Sequence, residues 1–138
     1  MNIPISLSIL ALVTGGMARF AWKIAGSNKA YGPSYMIVET ITFGLVAIVI
    51  HMAQRQPFDL SPRMTVVAAL GGIAAGITVS SVLLAFRLGG QGSIIFPIAG
   101  LGVIVSVLLS FIVYREPVTT TKLLGVGFGI TSIIFLSR

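Results

Sequence analysis

The chain has 138 residues, of which 56% are apolar and only 9% are charged, and its mean hydropathy is +1.05. A soluble domain would carry roughly a quarter charged residues, so this composition excludes a water-soluble globule. The nine Lys and Arg residues outnumber three Asp and Glu residues, but they stand singly between apolar blocks, which excludes nucleic acid as a partner and favours anionic lipid headgroups.

Five apolar blocks follow one another, separated by short segments that carry Gly, Pro or charged residues. They cover residues 3–25, 34–53, 63–86, 93–114 and 121–136. Most are close to the 20 or so residues that a helix needs to cross a hydrocarbon core of about 30 Å. Helices satisfy their own backbone hydrogen bonds in lipid. We therefore predict an all-α, polytopic integral membrane protein, with five transmembrane helices in one bundle and one domain over residues 1–138.

Local signals mark several helix ends. Ser61 is a favourable N-cap, with Pro62 at the first helical position. Pro97 lies within the first turns of the fourth block, where it either starts the helix or kinks it. The first block has no Lys or Arg before Ile3, and Arg19 and Lys23 stand where a cleavage region would begin, which favours a retained span over a signal peptide.

The residues that usually build enzymatic or metal sites are scarce. The chain has no cysteine, and its single histidine, His51, cannot form a metal site alone. The sequence contains no recognisable set of Ser, His and acid residues. We expect neither an enzyme nor a cofactor.

Two pairs of glycines have the spacing that lets membrane helices approach closely. Gly72 and Gly76 form one such pair in the third block, and Gly125 and Gly129 form another in the fifth. Each pair serves either packing within the chain or a seam between two copies. The Gly-rich run at 125–129 lies inside an apolar block with no strand before it, which excludes a dinucleotide-binding loop.

The basic residues do not favour one orientation in the membrane. With five spans, one side holds Arg55, Arg63, Arg115 and Lys122, and the other holds Lys23, Lys29, Arg87 and Arg138, with Arg19 as a further candidate. Insertion in both orientations, and hence an antiparallel homodimer, is one interpretation. A weak bias that is settled by Arg19 or by a partner subunit is the other.

Ionisable residues inside an apolar span are costly and therefore informative. Glu39 is the acid inside a span, about 7.5 Å below the expected helix start at Ser34. Arg19, Lys23 and Arg87 approach the same side of the membrane. This group predicts a site for a proton or an ammonium group at Glu39 and for an anionic group at Arg19 or Lys23. The alternative is that the two cations reach the interface and that Glu39 benefits from a helix N-terminus.

Aromatic and hydroxyl side chains suggest structural roles. Trp22, Tyr31, Tyr35 and Tyr114 lie near span ends, as in an interfacial aromatic belt, although a ring in the cargo path is an alternative. The hydroxyl residues either line a polar path or bond back to their own helix; they are Thr78, Ser80, Ser81, Ser106 and Ser110.

The segment from Ala85 to Leu136 resembles the drug/metabolite transporter superfamily, particularly its EamA-like domain. The run from Gly90 to Ile98 before a long apolar helix carries the resemblance, together with Arg115, Glu116 and Pro117 before a final Gly-rich span. The resemblance implies a five-helix repeat, which relatives usually carry twice in inverted orientation around a central path. It also implies that Ser93 and Pro97 shape the cavity-facing start of span four and that Glu116 orders the next loop.

These observations predict a secondary transporter, or a half-size transporter subunit, in the cytoplasmic membrane. It would move a small metabolite or drug as a homodimer or with a second small membrane subunit, and the basic residues favour an anionic or zwitterionic cargo. The related small multidrug resistance family has an acid in its first span, whereas span one here has none. A lipid-linked sugar flippase subunit and a non-transporting subunit that stabilises a partner complex are the alternatives.

Overall fold

The computed structural model describes residues 3–115 and 119–136, and all regular structure in these two ranges is α-helical. The helices are α1 (Ile3–Ser27), α2 (Gly32–Gln54), α3 (Pro62–Arg87), α4 (Gly92–Gly100), α5 (Gly102–Tyr114) and α6 (Thr120–Leu136). The predicted all-α class is therefore confirmed. The predicted roles of Glu116 and Pro117 in a loop and of Arg138 in topology fall on residues outside the described ranges.

In the described part of the chain, four helical segments are long and apolar enough to cross a membrane. They are α1, α2, α3 and the combined segment Gly92–Tyr114. The last helix, α6, has 17 residues, with a shorter apolar stretch at Leu123–Ser132. Large apolar side chains are exposed along all of these helices, for example Phe43 at 75%. Such extensive apolar exposure suits a lipid environment and not water.

The helix ends follow from local chemistry. The Ser61 hydroxyl accepts a hydrogen bond from the Met64 amide at 3.4 Å, which confirms the predicted N-cap of α3. Lys29, Arg55 and Arg115 each follow a helix with a left-handed backbone, at φ values of 57°, 52° and 52°. Glycine usually occupies such positions, but a basic residue there also complements the partial negative charge at a helix C-terminus.

The fourth predicted span is interrupted. Because α4 begins at Gly92, five residues before Pro97, the proline lies inside the helix and does not start it. Pro97 has no amide hydrogen for the carbonyl of Ser93. One turn later the chain tightens at Leu101, whose amide donates to the Ile98 carbonyl at 3.1 Å and whose carbonyl accepts from the Ile104 amide at 2.9 Å. Gly100 and Gly102 flank this point. Of the two sequence alternatives, the structure supports the interruption.

The chain divides into two compact units, Met1–Gly89 and Gly90–Arg138. In the first unit, α3 packs against both α1 and α2, and the buried apolar residues are Ala25, Val82, Leu83 and Phe86. In the second unit, α4 contacts α6. The assembly of all predicted spans into one bundle stays a prediction.

Candidate functional site

Among the described residues, a side-chain hydrogen bond joins α1 to α2. The Trp22 indole Nε1 donates to the Glu39 carboxylate oxygen Oε1 at 2.6 Å, and both side chains are half-buried. Glu39 lies seven residues after the start of α2, or about 10 Å along its axis, and Trp22 lies five residues before the end of α1, or about 7.5 Å. The pair therefore lies well inside both helices, near the end of the unit where the chain turns.

The packing of α3 fixes this end of the first unit. Gly26 of α1 lies so close to α3 that a Cβ atom there would be 2.9 Å from the Leu83 carbonyl oxygen. A Cβ at Gly32, the first residue of α2, would lie 3.9 Å from the Leu83 side chain. Leu83 therefore lies beside both ends of the turn that joins α1 to α2. This arrangement brings the two helices together antiparallel, with Trp22 beside Glu39.

The cations that the sequence grouped with Glu39 lie at the same end of the first unit. Arg19 is three residues before Trp22 and exposed, and Lys23 follows Trp22 and is half-buried. Arg87 ends α3, and its amide nitrogen is 3.5 Å from a Cβ placed on Gly26. Within residues 3–115 and 119–136, however, the hydrogen bond to the Glu39 carboxylate comes from Trp22 and not from any of these cations.

Sequence reasoning placed Trp22 in an aromatic belt and missed its contact with Glu39. A signal was nevertheless present. Trp22 lies five residues before the end of α1 and Glu39 seven residues after the start of α2, so the two lie at similar distances from the turn. In an antiparallel helix pair with a short turn, residues at equal distances from the turn lie at similar heights.

Polar groups near Glu39 are mostly satisfied within their own helix. The Thr42 hydroxyl donates to the carbonyls of Val38 and Glu39, both at 2.9 Å. Tyr35 lies one turn before Glu39 and is half-buried. Thr78, Ser81 and Ser106 likewise donate to carbonyls four residues earlier, which confirms the interpretation that they bond back to their own helix.

A separate groove of about 540 Å³ runs between α2 and α3. It is lined by Pro33, Met36, Ile37, Thr40, Ile41 and Ser80. Because Glu39 and Thr40 are consecutive, their side chains leave the helix about 100° apart. The Met36 side chain leaves the helix between these two directions and contacts α3, because its methyl group would lie 3.8 Å from a Cβ placed on Gly76. The groove therefore lies on the opposite side of the α2–α3 contact from the Trp22–Glu39 pair.

The remaining predicted site residues are the four paired glycines, Ser93 and Pro97, and the structure shows how much space surrounds each of them. In the described chain, a Cβ added to Gly72, Gly125 or Gly129 would meet no atom within 4 Å, whereas one on Gly76 would meet the Met36 methyl group. Close packing within the chain is thus not seen at the first three glycines, and a seam between copies stays a prediction. Ser93 is exposed and Pro97 half-buried in the second unit.

Neither a metal-ligand cluster nor a known relative defines the site further. Among the described residues no group of three His, Cys, Asp or Glu side chains could hold a metal ion. The His51 ring instead contacts the Phe58 ring edge-on, with centroids 6.2 Å apart. The chain matches no family model, no curated protein sequence and no solved structure.

Proposed function

We propose that this chain is a half-size secondary transporter subunit, similar to one repeat of the EamA-like drug/metabolite transporters. It crosses the cytoplasmic membrane five times and moves a small metabolite or drug as an antiparallel or paired dimer. Glu39 is the site at which a proton or a cationic group of the cargo binds. The observation that carries this proposal is the Trp22–Glu39 hydrogen bond inside apolar helices.

An acid inside an apolar helix is expensive, so its partner indicates what it does. A structural acid is expected to pair with a cation, which compensates its charge. Glu39 is instead bonded to the neutral indole of Trp22, which supports the carboxylate without cancelling its charge. The site therefore suits a mobile cation, such as a proton or a cargo ammonium group. Lys23 and Arg87, nearer the turn, favour a cargo that also carries an anionic group.

Two features support a dimer. Related transporters enclose their path with two inverted repeats, whereas this chain is long enough for one. The basic residues are also divided almost evenly between the two sides of the predicted membrane topology. Two copies inserted in opposite orientations would provide the two repeats from one short chain.

The groove between α2 and α3 favours a second candidate, a flippase subunit for lipid-linked sugars. Its lining is mostly apolar, with the hydroxyl residues Thr40 and Ser80, as a lipid chain close to a polar headgroup would require. This function predicts stimulation of lipid scrambling in vesicles and does not require Glu39, from which the groove is separated.

The test is a transport screen in proteoliposomes, with and without a pH gradient. Glu39→Gln keeps an oxygen that accepts the Trp22 hydrogen bond and removes only the charge. We expect uptake of the cargo to be lost in this variant, while Asp59→Asn, in the exposed loop after α2, retains it. Equal transport by Glu39→Gln and the unmodified chain would contradict the role of Glu39. A lack of flux for every cargo would favour the non-transporting subunit.

A further inference from the structure

We infer that Trp22 is the positioning residue for Glu39: its indole holds the carboxylate oxygen Oε1, so that Oε2 receives the proton or the cargo ammonium group. This inference rests on the proposed function and adds a division of roles within the site. Glu39 contacts the cargo through Oε2, and Trp22 acts through Glu39.

The hydrogen bond selects one orientation of a flexible side chain. A free Glu side chain samples many rotamers, and fixing it carries an entropic penalty. The indole has one donor and two rotatable side-chain bonds, so it fixes one oxygen at a modest entropic penalty. At 2.6 Å the bond is short, as expected when the acceptor is charged. Within the described residues the structure gives Oε2 no hydrogen-bond donor, which leaves that oxygen for a ligand.

The surrounding charges do not replace the indole. The cations at this end of the unit are Arg19 and Lys23 on α1, Lys29 in the turn and Arg87 on α3, and Tyr35 is the titratable neighbour on α2 itself. Arg19 and Arg87 are exposed and Lys23 is only half-buried. Their charges act on Glu39 at a distance, whereas the indole acts through a directed bond. Removal of the indole N–H should therefore release the Glu39 carboxylate from its fixed orientation, whereas removal of a cation should not.

The site can be observed directly because Trp22 is the only tryptophan in the chain. In nanodiscs, the protein labelled with 15N at the indole nitrogen gives one indole signal. The indole signal reports on the oxygen that accepts its hydrogen bond, so we expect it to move in Glu39→Gln, where a neutral amide oxygen replaces the carboxylate oxygen. It should keep its position in Asp59→Asn and in Tyr35→Phe. An indole signal that is unchanged in Glu39→Gln, or that moves equally in Asp59→Asn, would overturn the inference.

Transport kinetics distinguish the positioning role of Trp22 from the proposed function of the protein. Trp22→Phe retains an aromatic ring but removes the donor, and a benzothienyl analogue at position 22 replaces only the N–H by sulfur, which protects the fold. We expect both variants to raise the KM for the cargo about tenfold, which corresponds to the free energy of one hydrogen bond to a charged group. The effect on kcat should be smaller.

The outcomes of the transport assay are distinct. Normal transport by both Trp22 variants, together with loss of transport in Glu39→Gln, would overturn the role of Trp22 and leave the proposed function intact. Normal transport by Glu39→Gln would reject the proposed function itself. A lower kcat at an unchanged KM would also contradict positioning of the cargo-binding oxygen.

Discussion

Gly26 of α1 lies directly against Phe86 of α3, so that a Cβ atom on Gly26 would be 2.5 Å from the Cβ atom of Phe86. Phe86 is the most buried of the core side chains, with 2% of its surface exposed. The contact therefore depends on the absence of a side chain at position 26.

We predict that Gly26→Ala lowers the free energy of unfolding by about 1–3 kcal/mol, because the helices must separate to admit the methyl group. Thermal unfolding in detergent would measure this loss. Gly16→Ala is the matched control, since a Cβ there meets no atom of the described chain within 4 Å. That variant should change stability by no more than about 1 kcal/mol. Equal stability of the two variants would show that α1 does not pack on α3 at Gly26.

Replacement of Pro97 should straighten the helix that is interrupted at Leu101. Pro97→Ala restores a donor for the Ser93 carbonyl, and we expect it to raise the free energy of unfolding by up to about 3 kcal/mol. We expect slower transport, because a continuous helix bends less easily. The control is Pro62→Ala at the first position of α3, where a proline removes no hydrogen bond from the helix. Faster transport by Pro97→Ala would argue against a functional kink.

Substitution of Gly72 tests whether this face of α3 forms the contact between two copies. Its Cβ position is open in the described chain, as is that of Gly71, yet only Gly72 belongs to the predicted glycine pair. We predict that Gly72→Ile weakens dimer formation about tenfold in liposomes, while Gly71→Ile does not. Energy transfer between labelled copies would measure the two dissociation constants. Equal values would exclude the Gly72 face of α3 as the seam.

A reporter at the C-terminus tests the two-orientation interpretation. We expect it on both sides of the membrane, because Lys and Arg are divided almost evenly between the predicted sides. Added lysines in Gln54→Lys and Gln56→Lys should move most copies to one orientation, and Asn28→Lys should favour the other. Detection of the reporter on one side only in the unmodified chain would contradict the interpretation.

The sequence predicted the helices well because their determinants are local. Block length and composition indicated the spans, and Ser61 with Pro62 marked the start of α3 correctly. Pro97 was recognised as a source of irregularity, but its outcome was left open between a start and a kink. The interruption falls at Leu101, where the two flanking glycines also affect the backbone.

Contacts between helices were harder to predict for a physical reason. The helices are apolar on nearly all sides, so the pattern does not reveal which face meets another helix. The sequence predicts a loop at Gly26, whereas in the structure Gly26 lies inside α1 and directly against α3. The sequence grouped Glu39 with Arg19, Lys23 and Arg87, and in the structure these residues lie at one end of the first unit. It did not identify Trp22 as the partner of Glu39.

In the proposed five-span topology, the difference in length between the helices has a consequence for the bilayer. The 26 residues of α3 extend about 39 Å, whereas the 17 residues of α6 extend about 26 Å. No single bilayer thickness fits both helices when they stand upright. The activity of this protein should therefore depend on acyl-chain length. Short-chain lipids form a thinner bilayer that matches the length of α6 better, and in such a bilayer α3 must tilt further.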